Sequence, residues 1–384
     1  MRCVLVLSAV LLLGGVTHAE TRVVHPDGSG EWPTIQAAVA ASEDGDTVEL
    51  TDGTFTGAGN RDIDFLGKSI TIRSQGADPL HCIIDCEGTE ADPHRGFLFC
   101  SGEGIGSILE GLTIANGMAR QEINGHEGGA VYCGAGASPV VVNCRFVGNA
   151  ASGPPGGGAG GAVACLDNSA PVFVSCAFVG NSAYFGGAMD CGMGSAVSLT
   201  NCMFHDNLAY MGGGINCGGS MMIAEQCTFS GSYGFALACW HGSLVLMGCT
   251  LYGNSDGALF SAYEAAPSLE NTLIAFNSGS IWCEDVVPAL SCCDIYGNGG
   301  GDWVVPFEDQ LGMNGNVSED PLFCSVSPED DLNWSIHSDS PCAPESSGCG
   351  LIGAWGVDCG DSSARPCTWG GLKAIYLIRR SAPN

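Results

Sequence analysis

The stretch GGAVYCGAGASPVVVNCRFVGN runs from Gly128 to Asn149, and its pattern returns as GGAVACLDNSAPVFVSCAFVGN from Gly160 and GGAMDCGMGSAVSLTNCMFHDN from Gly186. Further copies start at Gly212, Gly234, Asp256 and Ser278, so the spacing of starts closes from 32 residues to 22. A unit this short cannot bury an apolar face alone. It gains a core only by stacking on its neighbours, which makes the chain a quasi-one-dimensional object. One elongated body can therefore take up 384 residues that would otherwise suggest two or three domains.

Within each unit the apolar residues alternate with period two, the signature of strands and not of helices. Val140, Val142, Cys144 and Phe146 share one parity, with Asn143 and Arg145 on the other; Val172, Val174, Cys176 and Phe178 repeat this. Val131 and Cys133, Met189 and Cys191, Ile215 and Cys217, Leu237 and Cys239, and Ile281 and Cys283 also pair by parity. These residues are predicted to face inward. In the third unit Ser198 and Thr200 fall on the inward parity, which predicts a bulge there. No Asn-Gly or Asp-Gly pair recurs at a fixed site, so two-residue hairpins are not expected. A parallel coil is expected instead, each unit wrapping once and stacking on the next at ~4.8 Å. Insertions such as ASGPPGGGAGG before Gly161 belong in surface loops.

Asn149, Asn181, Asn207, Asn254, Asn277 and Asn298 each follow the second cysteine, or its substitute, by five positions. Asn tolerates the left-handed conformation of a tight turn and can bond its copy one coil away, so this row is read as structural and not as a ligand ladder. The paired glycines are turn residues for the same reason. No GxGxxG or Walker pattern stands in a strand–helix setting.

The chain holds 22 cysteines, and six of the seven units keep two. The exception, residues 256–277, loses both together, to Ser261 and Thr272. Joint loss predicts bridges within units: Cys133–Cys144, Cys165–Cys176, Cys191–Cys202, Cys217–Cys227, Cys239–Cys249 and Cys283–Cys293. Facing sheets lie ~10 Å apart, whereas a disulfide needs Cα atoms within roughly 4.4–6.8 Å. Each pair must then sit at a corner where strands converge. Bridges between equivalent cysteines of adjacent coils, and stacks of free thiols acting as small buried hydrophobes, are the alternatives. Beyond the repeats, Cys324–Cys342 and Cys349–Cys359 are the expected bridges, although spacing alone permits others.

The motif Gly-Gly-Ala-[Val/Met] followed by Phe-x-x-Asn resembles the repeat of the chlamydial polymorphic outer-membrane proteins. The opening VVHPDGSGEWPTIQAAVAASEDGDTVELTDGTF resembles the start of pectinesterases and other pectate-lyase-like proteins. The resemblance spans most of residues 23–300. It implies an all-β, right-handed parallel β-helix whose first coil is capped by a short helix over Thr34 to Ser42, with TVEL and SITIR opening the coils. The expected organisation is a signal peptide at 1–19, an N-terminal cap and first irregular coils at 20–122 and regular coils at 123–298. A Cys-rich C-terminal cap at 299–360 and a tail at 361–384, either a short helix packed on the cap or a sorting or attachment segment, complete it. Arg2, the apolar run Val4 to Val16 and Thr17-His18-Ala19 form the signal pattern, and the run is too short to span a bilayer. The mature protein is expected to be secreted or held at a bacterial cell surface or outer membrane, in an oxidising setting that suits the cysteines.

Catalytic signatures of β-helix enzymes are incomplete. The only Asp-Asp is Asp330-Asp331, beyond the repeats, there is no Gly-His-Gly, and RDIDFLG (Arg61 to Gly67) is a partial echo of the pectinesterase motif in the wrong part of the chain. Between Arg120 and Arg365 the sole Lys or Arg is Arg145, and the formal net charge is −29. A lyase acting on uronates needs cations to hold substrate carboxylates and to act as base. An acidic surface repels polyuronates and nucleic acids alike. His126, His205 and His241 fall at different offsets, and no HExxH or paired CxxC spacing exists, so a zinc site is not expected. Asp190, Glu225, Asp256 and Glu264 are the acids open to a structural calcium ion. Tyr184, Tyr210 and Tyr233 recur near one offset and are the candidate ligand-binding residues, able to stack on sugar rings. The function expected is that of a non-catalytic surface or matrix protein, adhesin-like or glycan-contacting, with no resident cofactor and no transmembrane segment in the mature chain. A carbohydrate-active enzyme of the pectate-lyase-like class, lyase or hydrolase, is the alternative.

Overall fold

The computed structural model describes residues 19–119, 127–153, 157–324 and 334–359. Residues 1–18 of the signal segment, the tail after Cys359, His126 and the Asp330-Asp331 pair lie outside them. Each coil visits three parallel sheets in turn. In the first regular coil, Val131–Cys133 lies in a nine-stranded sheet, Val140–Val142 in an eleven-stranded sheet and Arg145–Val147 in a ten-stranded sheet. Neighbouring coils pair in strict register: Val131, Tyr132 and Cys133 lie beside Val163, Ala164 and Cys165. Like therefore stacks on like. Phe146, Phe178, Phe204 and Phe229 form a face-to-face column with centroids 4.8, 4.5 and 4.8 Å apart, all fully buried.

The inward face differs from the parity prediction in one sheet. Val141 and Phe173 are fully buried, whereas Val140, Val142, Val172 and Val174 are half-exposed. The cause is a corner. Asn143, Ser175, Asn201, Gln226, Asn271 and Cys292 take left-handed φ values of 49–53°, with Gly248 at 60°, between the eleven- and ten-stranded sheets. One such residue turns the chain and resets the alternation, so parity cannot be carried across it. The predicted bulge disappears for the same reason: Val197 and Leu199 point inward, and Ser198 and Thr200 outward.

The asparagine row forms a hydrogen-bonded ladder, but its residues are not the left-handed ones. That conformation falls on the preceding residue: Gly148, Gly180, Asp206, Gly231, Gly253, Phe276 and Gly297. Asn181 Oδ1 accepts from both the backbone N–H and the Nδ2 of Asn149, and Asn207 Oδ1 receives the same pair from Asn181. Each Nδ2 also donates across the turn, Asn181 to the carbonyl of Phe146. Ser232 occupies the next position and interrupts the ladder. A second run links Asn254, Asn277 and Asn298, and Asp302 closes it by accepting from Asn298.

The six within-unit disulfides do not form. The first cysteine of each unit lies in the nine-stranded sheet and the second just after the corner between the other two sheets, so a loop and a whole strand separate them. Cys133, Cys165, Cys191, Cys217 and Cys239 instead align coil upon coil. Cys283 resumes that column beyond Ser261. All twelve thiols are free, and all but Cys283 are buried. The second thiol has a definite task. Cys144, Cys176, Cys202, Cys227, Cys249 and Cys293 each donate to the carbonyl two residues back, at 3.3–3.6 Å. Thr272 Oγ1 makes the same bond to Glu270 O at 3.0 Å, and Ser261 Oγ donates to Ala265 O. The joint loss is thus two separate replacements of a small donor by another. Burial pushes Cys144 and Cys293 up to about 12, which keeps them protonated as donors.

Both ends of the coil are closed by side-chain amides. The helix Ile35–Ala41, capped by Thr34 Oγ1 accepting from Ala37 N, buries Ile35, Ala38 and Val39 on the first coil. Its Gln36 donates Nε2 to Asp64 O and accepts Asp64 N at Oε1, standing in for a strand beside Ile63–Asp64. At the other end Gln310 accepts Leu290 N at Oε1 and donates Nε2 to Pro288 O, beside Ala289–Ser291. Trp303, Val304 and buried Phe307 close the last coil's interior.

Beyond them the chain turns back. Residues 334–359 lie as a strap along the outer face of the ten-stranded sheet. Gly353 N donates to Asn271 O, Ala354 N to Thr250 Oγ1 and Trp355 Nε1 to Thr228 Oγ1, while Trp334 packs with Ala177 and Met203. The bridges are Cys292–Cys349 and Cys324–Cys359, in place of the expected Cys324–Cys342 and Cys349–Cys359. Cys292 is the left-handed corner residue, whose outward side chain meets the strap, and Cys342 is left as a buried thiol donating to Asp294 Oδ2 at 3.0 Å.

Candidate functional site

Strand geometry sends the residue between two inward side chains to the outside. On the nine-stranded sheet that position runs in register through Tyr132, Ala164, Asp190, Asn216, Ala238, Phe260 and Trp282. Two residues further along, the register pairs Gly192, Gly218, Trp240 and Ala262. The sheet's outer face therefore carries a polar centre, a glycine floor beside it and an aromatic end.

At the centre Asn216 Nδ2 donates to Asp190 Oδ1 at 2.7 Å, and Trp240 Nε1 donates to Asn216 Oδ1 at 2.8 Å. The chain of bonds fixes the amide's orientation and holds the indole edge toward the acid. Asp190 Oδ2 accepts nothing from the described residues. A Cβ built at Gly192 would lie 3.8 Å from that oxygen and 3.1 Å from Leu166 Cδ2, so the glycine lets the Leu166 side chain pack beside the carboxylate. Burial pushes Asp190 up to about 7; the Asn216 bond acts against this, and the Glu127 carboxylate adds to it.

The aromatic end is layered. Phe260 stacks on Trp282 at 4.5 Å and 7°, Trp240 on Tyr263 at 5.7 Å and 16°, and His241 on Tyr263 at 5.2 Å and 24°. Trp282 is 45% exposed and Tyr263 49%, so both rings remain open to a ligand. On the other flank, the loop entering the sheet brings two predicted tyrosines together: Tyr184 and Tyr210 stack at 5.2 Å and 23°. Tyr233 does not join them. It pairs with Leu208 and not with Tyr210, because its unit is shorter, and its ring stands exposed in the next coil.

The acids named from sequence are scattered among elements. Glu225 ends a strand of the eleven-stranded sheet, Asp256 and Glu264 flank Gly257–Ala262, and Asp190 alone lies in the outer row. Among the described residues no three His, Cys, Asp or Glu side chains gather as metal ligands, and no helix is long and apolar enough to cross a membrane.

Sequence reading missed Asn216, Trp240, Phe260 and Trp282. The signal was present: each unit's first cysteine is preceded by a variable residue, and in successive units that residue is Tyr132, Ala164, Asp190, Asn216 and Ala238. The inward residues drew notice because they repeat; the outward ones do not repeat.

Three-sheeted coils in parallel register define a right-handed parallel β-helix protein. The model of the right handed beta helix region matches residues 38–243 and 192–317, most of the chain, and the protein belongs to that family. A search of curated proteins finds no significant match. Among solved structures the chain is similar to the pectate lyase Pel9A, at 12% identity and a TM-score of 0.44, covering 89% of this chain and 98% of that one. It is likewise similar to an alginate lyase from Paenibacillus, at 13% identity and 0.44, over 71% and 99%. A pectin methylesterase from carrot matches at 12% and 0.34, over 78% and 88%.

Asp190 gives a pH prediction. Burial holds its folded value above the ordinary carboxylate value, so its protonated form contributes stability at low pH that is lost as pH rises through about 7. Asp190→Asn should remove this loss. Urea unfolding between pH 4 and 7 is expected to show the wild type falling relative to the variant, with the two levelling off above about 7; parallel curves from pH 4 upward would mean that Asp190 ionises normally. Asp294, held up at about 6 mainly by its burial, titrates in both proteins and drops out of the difference.

Proposed function

We propose that the protein is an exported, glycan-contacting β-helix that binds a neutral saccharide chain along the outer face of its nine-stranded sheet. The observation that carries this is the Asp190–Asn216–Trp240 hydrogen-bonded row beside the glycine floor, with Trp282 and Tyr263 open at its end. Sugars need this mixture. Their hydroxyls take fixed acceptors and amides, and their C–H faces take aromatic rings. The net charge of −29 favours an uncharged polymer over a polyuronate. Export rests on the signal pattern at residues 1–19.

The test is a panel of neutral and acidic polysaccharides read for both binding and cleavage. Trp282→Ala should weaken binding by roughly tenfold, about 1.4 kcal/mol for a lost stacking ring, with the fold intact by circular dichroism. Equal retention of both proteins on every polymer would remove the groove from consideration. A second reading is enzymatic: Asp190 is held protonated near neutrality and feels Glu127, as a general acid beside a second carboxylate would. Turnover abolished in both Asp190→Asn and Glu127→Gln would establish it and displace the binding-only role.

A further inference from the structure

The outer faces of the three sheets are finished differently. On the ten-stranded sheet the outward Ala177, Met203 and Leu273 are buried in clusters with Trp334, Ile336 and Ile352 of the strap. The nine-stranded sheet carries the polar row and the rings. The eleven-stranded sheet carries an aliphatic strip. Its outward Val140, Val142, Val172, Val174, Ile223 and Val245 are partly exposed, and none of them belongs to a packed cluster among the described residues. Met221 at its margin is 47% exposed. A continuous apolar strip of this kind on a folded chain marks a contact surface.

The pattern along the strip says what fits it. Register carries one outward column from Arg73 through Val142, Val174 and Thr200 to Glu270, and a second through Ile108, Val140, Val172, Ser198, Ile223 and Val245. A two-fold axis can be laid in the face, parallel to the strands and between Val172–Val174 and Ala196–Thr200. That axis sets Val140 opposite Ile223 of a second copy, and Ile108 opposite Val245. The same axis sets Arg73, the one basic residue of its column and 45% exposed, opposite Glu270. With the rods parallel instead, the acidic end would face its own copy. The eight strands from Thr71–Ser74 to Ala266–Glu270 span about 34 Å, and their five-residue width is about 16 Å. Two such faces give roughly 1,100 Å², just above the roughly 1,000 Å² that a specific interface needs.

The chain's own tail is poorly placed to cover the strip. The strap runs away from it, from Gly353 at the Asn271 corner to Trp355 at Thr228. The described chain then stops at Cys359, bridged to Cys324 beside Phe323, whose ring meets Tyr252 at the far end of its strand.

We propose that the aliphatic strip of the eleven-stranded sheet is the interface of a homodimer, two rods packed sheet on sheet and antiparallel. Burial of the valines and isoleucines supplies the affinity. The Arg73–Glu270 pairs at the rim set the direction and add little energy. A two-fold contact uses the same patch on both copies and closes at two. The dimer does not depend on the glycan reading, which concerns another sheet; it leaves that sheet free on both copies.

The test is sedimentation equilibrium of the full chain across the micromolar range at ~0.15 M salt, where charges more than ~8 Å apart are largely screened. The wild type should pass from monomer to dimer as concentration rises. Val172→Lys, beside the axis, should raise the dissociation constant roughly tenfold or more, with circular dichroism and the thermal midpoint of the dilute monomer unchanged. Val172→Thr keeps the branched shape, serves if lysine disturbs the sheet, and should weaken the dimer severalfold. Arg73→Glu and Glu270→Arg should each weaken it, and the two combined in one chain should restore it. A wild type that stays monomeric throughout would overturn the proposal. So would a dimer that Val172→Lys leaves intact, or a combined charge exchange that fails to rescue. A lowered midpoint for dilute Val172→Lys, with no wild-type dimer, would show that residues after Cys359 cover the strip and would overturn it as well.

Discussion

Asn181→Leu is expected to lower the unfolding free energy by about 3 kcal/mol, since a buried N–H left unpaired costs roughly 1–3 kcal/mol and the lost side-chain bonds add about 1 more. Asn149 N–H loses the Oδ1 of Asn181 as acceptor, and Phe146 O loses the Nδ2 of Asn181 as donor. Asn149 Nδ2 keeps Ile114 O, and Asn207 Oδ1 is deserted only by the side chain. The damage is therefore local to two coils. Ser232 offers an internal control: it already interrupts the ladder, and its buried Oγ has no partner. Ser232→Asn should accordingly stabilise the chain. Chemical denaturation of both variants checks the pair, and unchanged midpoints for both would mean that the ladder carries no energy.

Removing the Cys292–Cys349 bridge with the double substitution Cys292→Ser/Cys349→Ser should cost a similar amount. The bridge closes a separation of 57 residues. Loop-closure entropy for a ring of that size is worth about 4 kcal/mol in the unfolded state. The loss should also be visible at the strap, where Trp334 is buried and Trp355 donates its indole N–H to Thr228. Their fluorescence is expected to shift to the red, while far-ultraviolet circular dichroism of the coils persists. A variant with native fluorescence and native stability would show that the strap holds by packing alone.

The sequence showed the repeat, the parallel coil and the asparagine row because stacking forces like residues to recur, and recurrence is visible in one chain. It hid whatever happens once. The reset of parity at Asn143 could not be seen, because a single left-handed residue has no spelling of its own: Asn, Ser, Gln, Gly and Cys all serve at that corner. The disulfides were misassigned because counting cysteines weighs all alike. Cys292 differs in being an extra cysteine placed outward at a corner, in the doublet Cys292-Cys293. The joint replacement by Ser261 and Thr272 suggested a bridge, but the bonds to Ala265 and Glu270 show each hydroxyl acting alone. The groove was half legible. Tyr184 and Tyr210 were named and do stack, whereas Asn216, Trp240 and Trp282 take a variable position that repetition cannot mark.

The amides of Gln36 and Gln310 sit at opposite ends of the coil and on different sheets. An open strand edge at each end would be complementary to the other end of a second molecule, since the pairing is parallel and directional. Such a head-to-tail contact has no symmetry that closes it, and it propagates into fibres. Two carboxamides occupy these polymerisation points with bonds a neighbouring strand would otherwise make. At these two edges a second molecule finds the strand's bonds already taken.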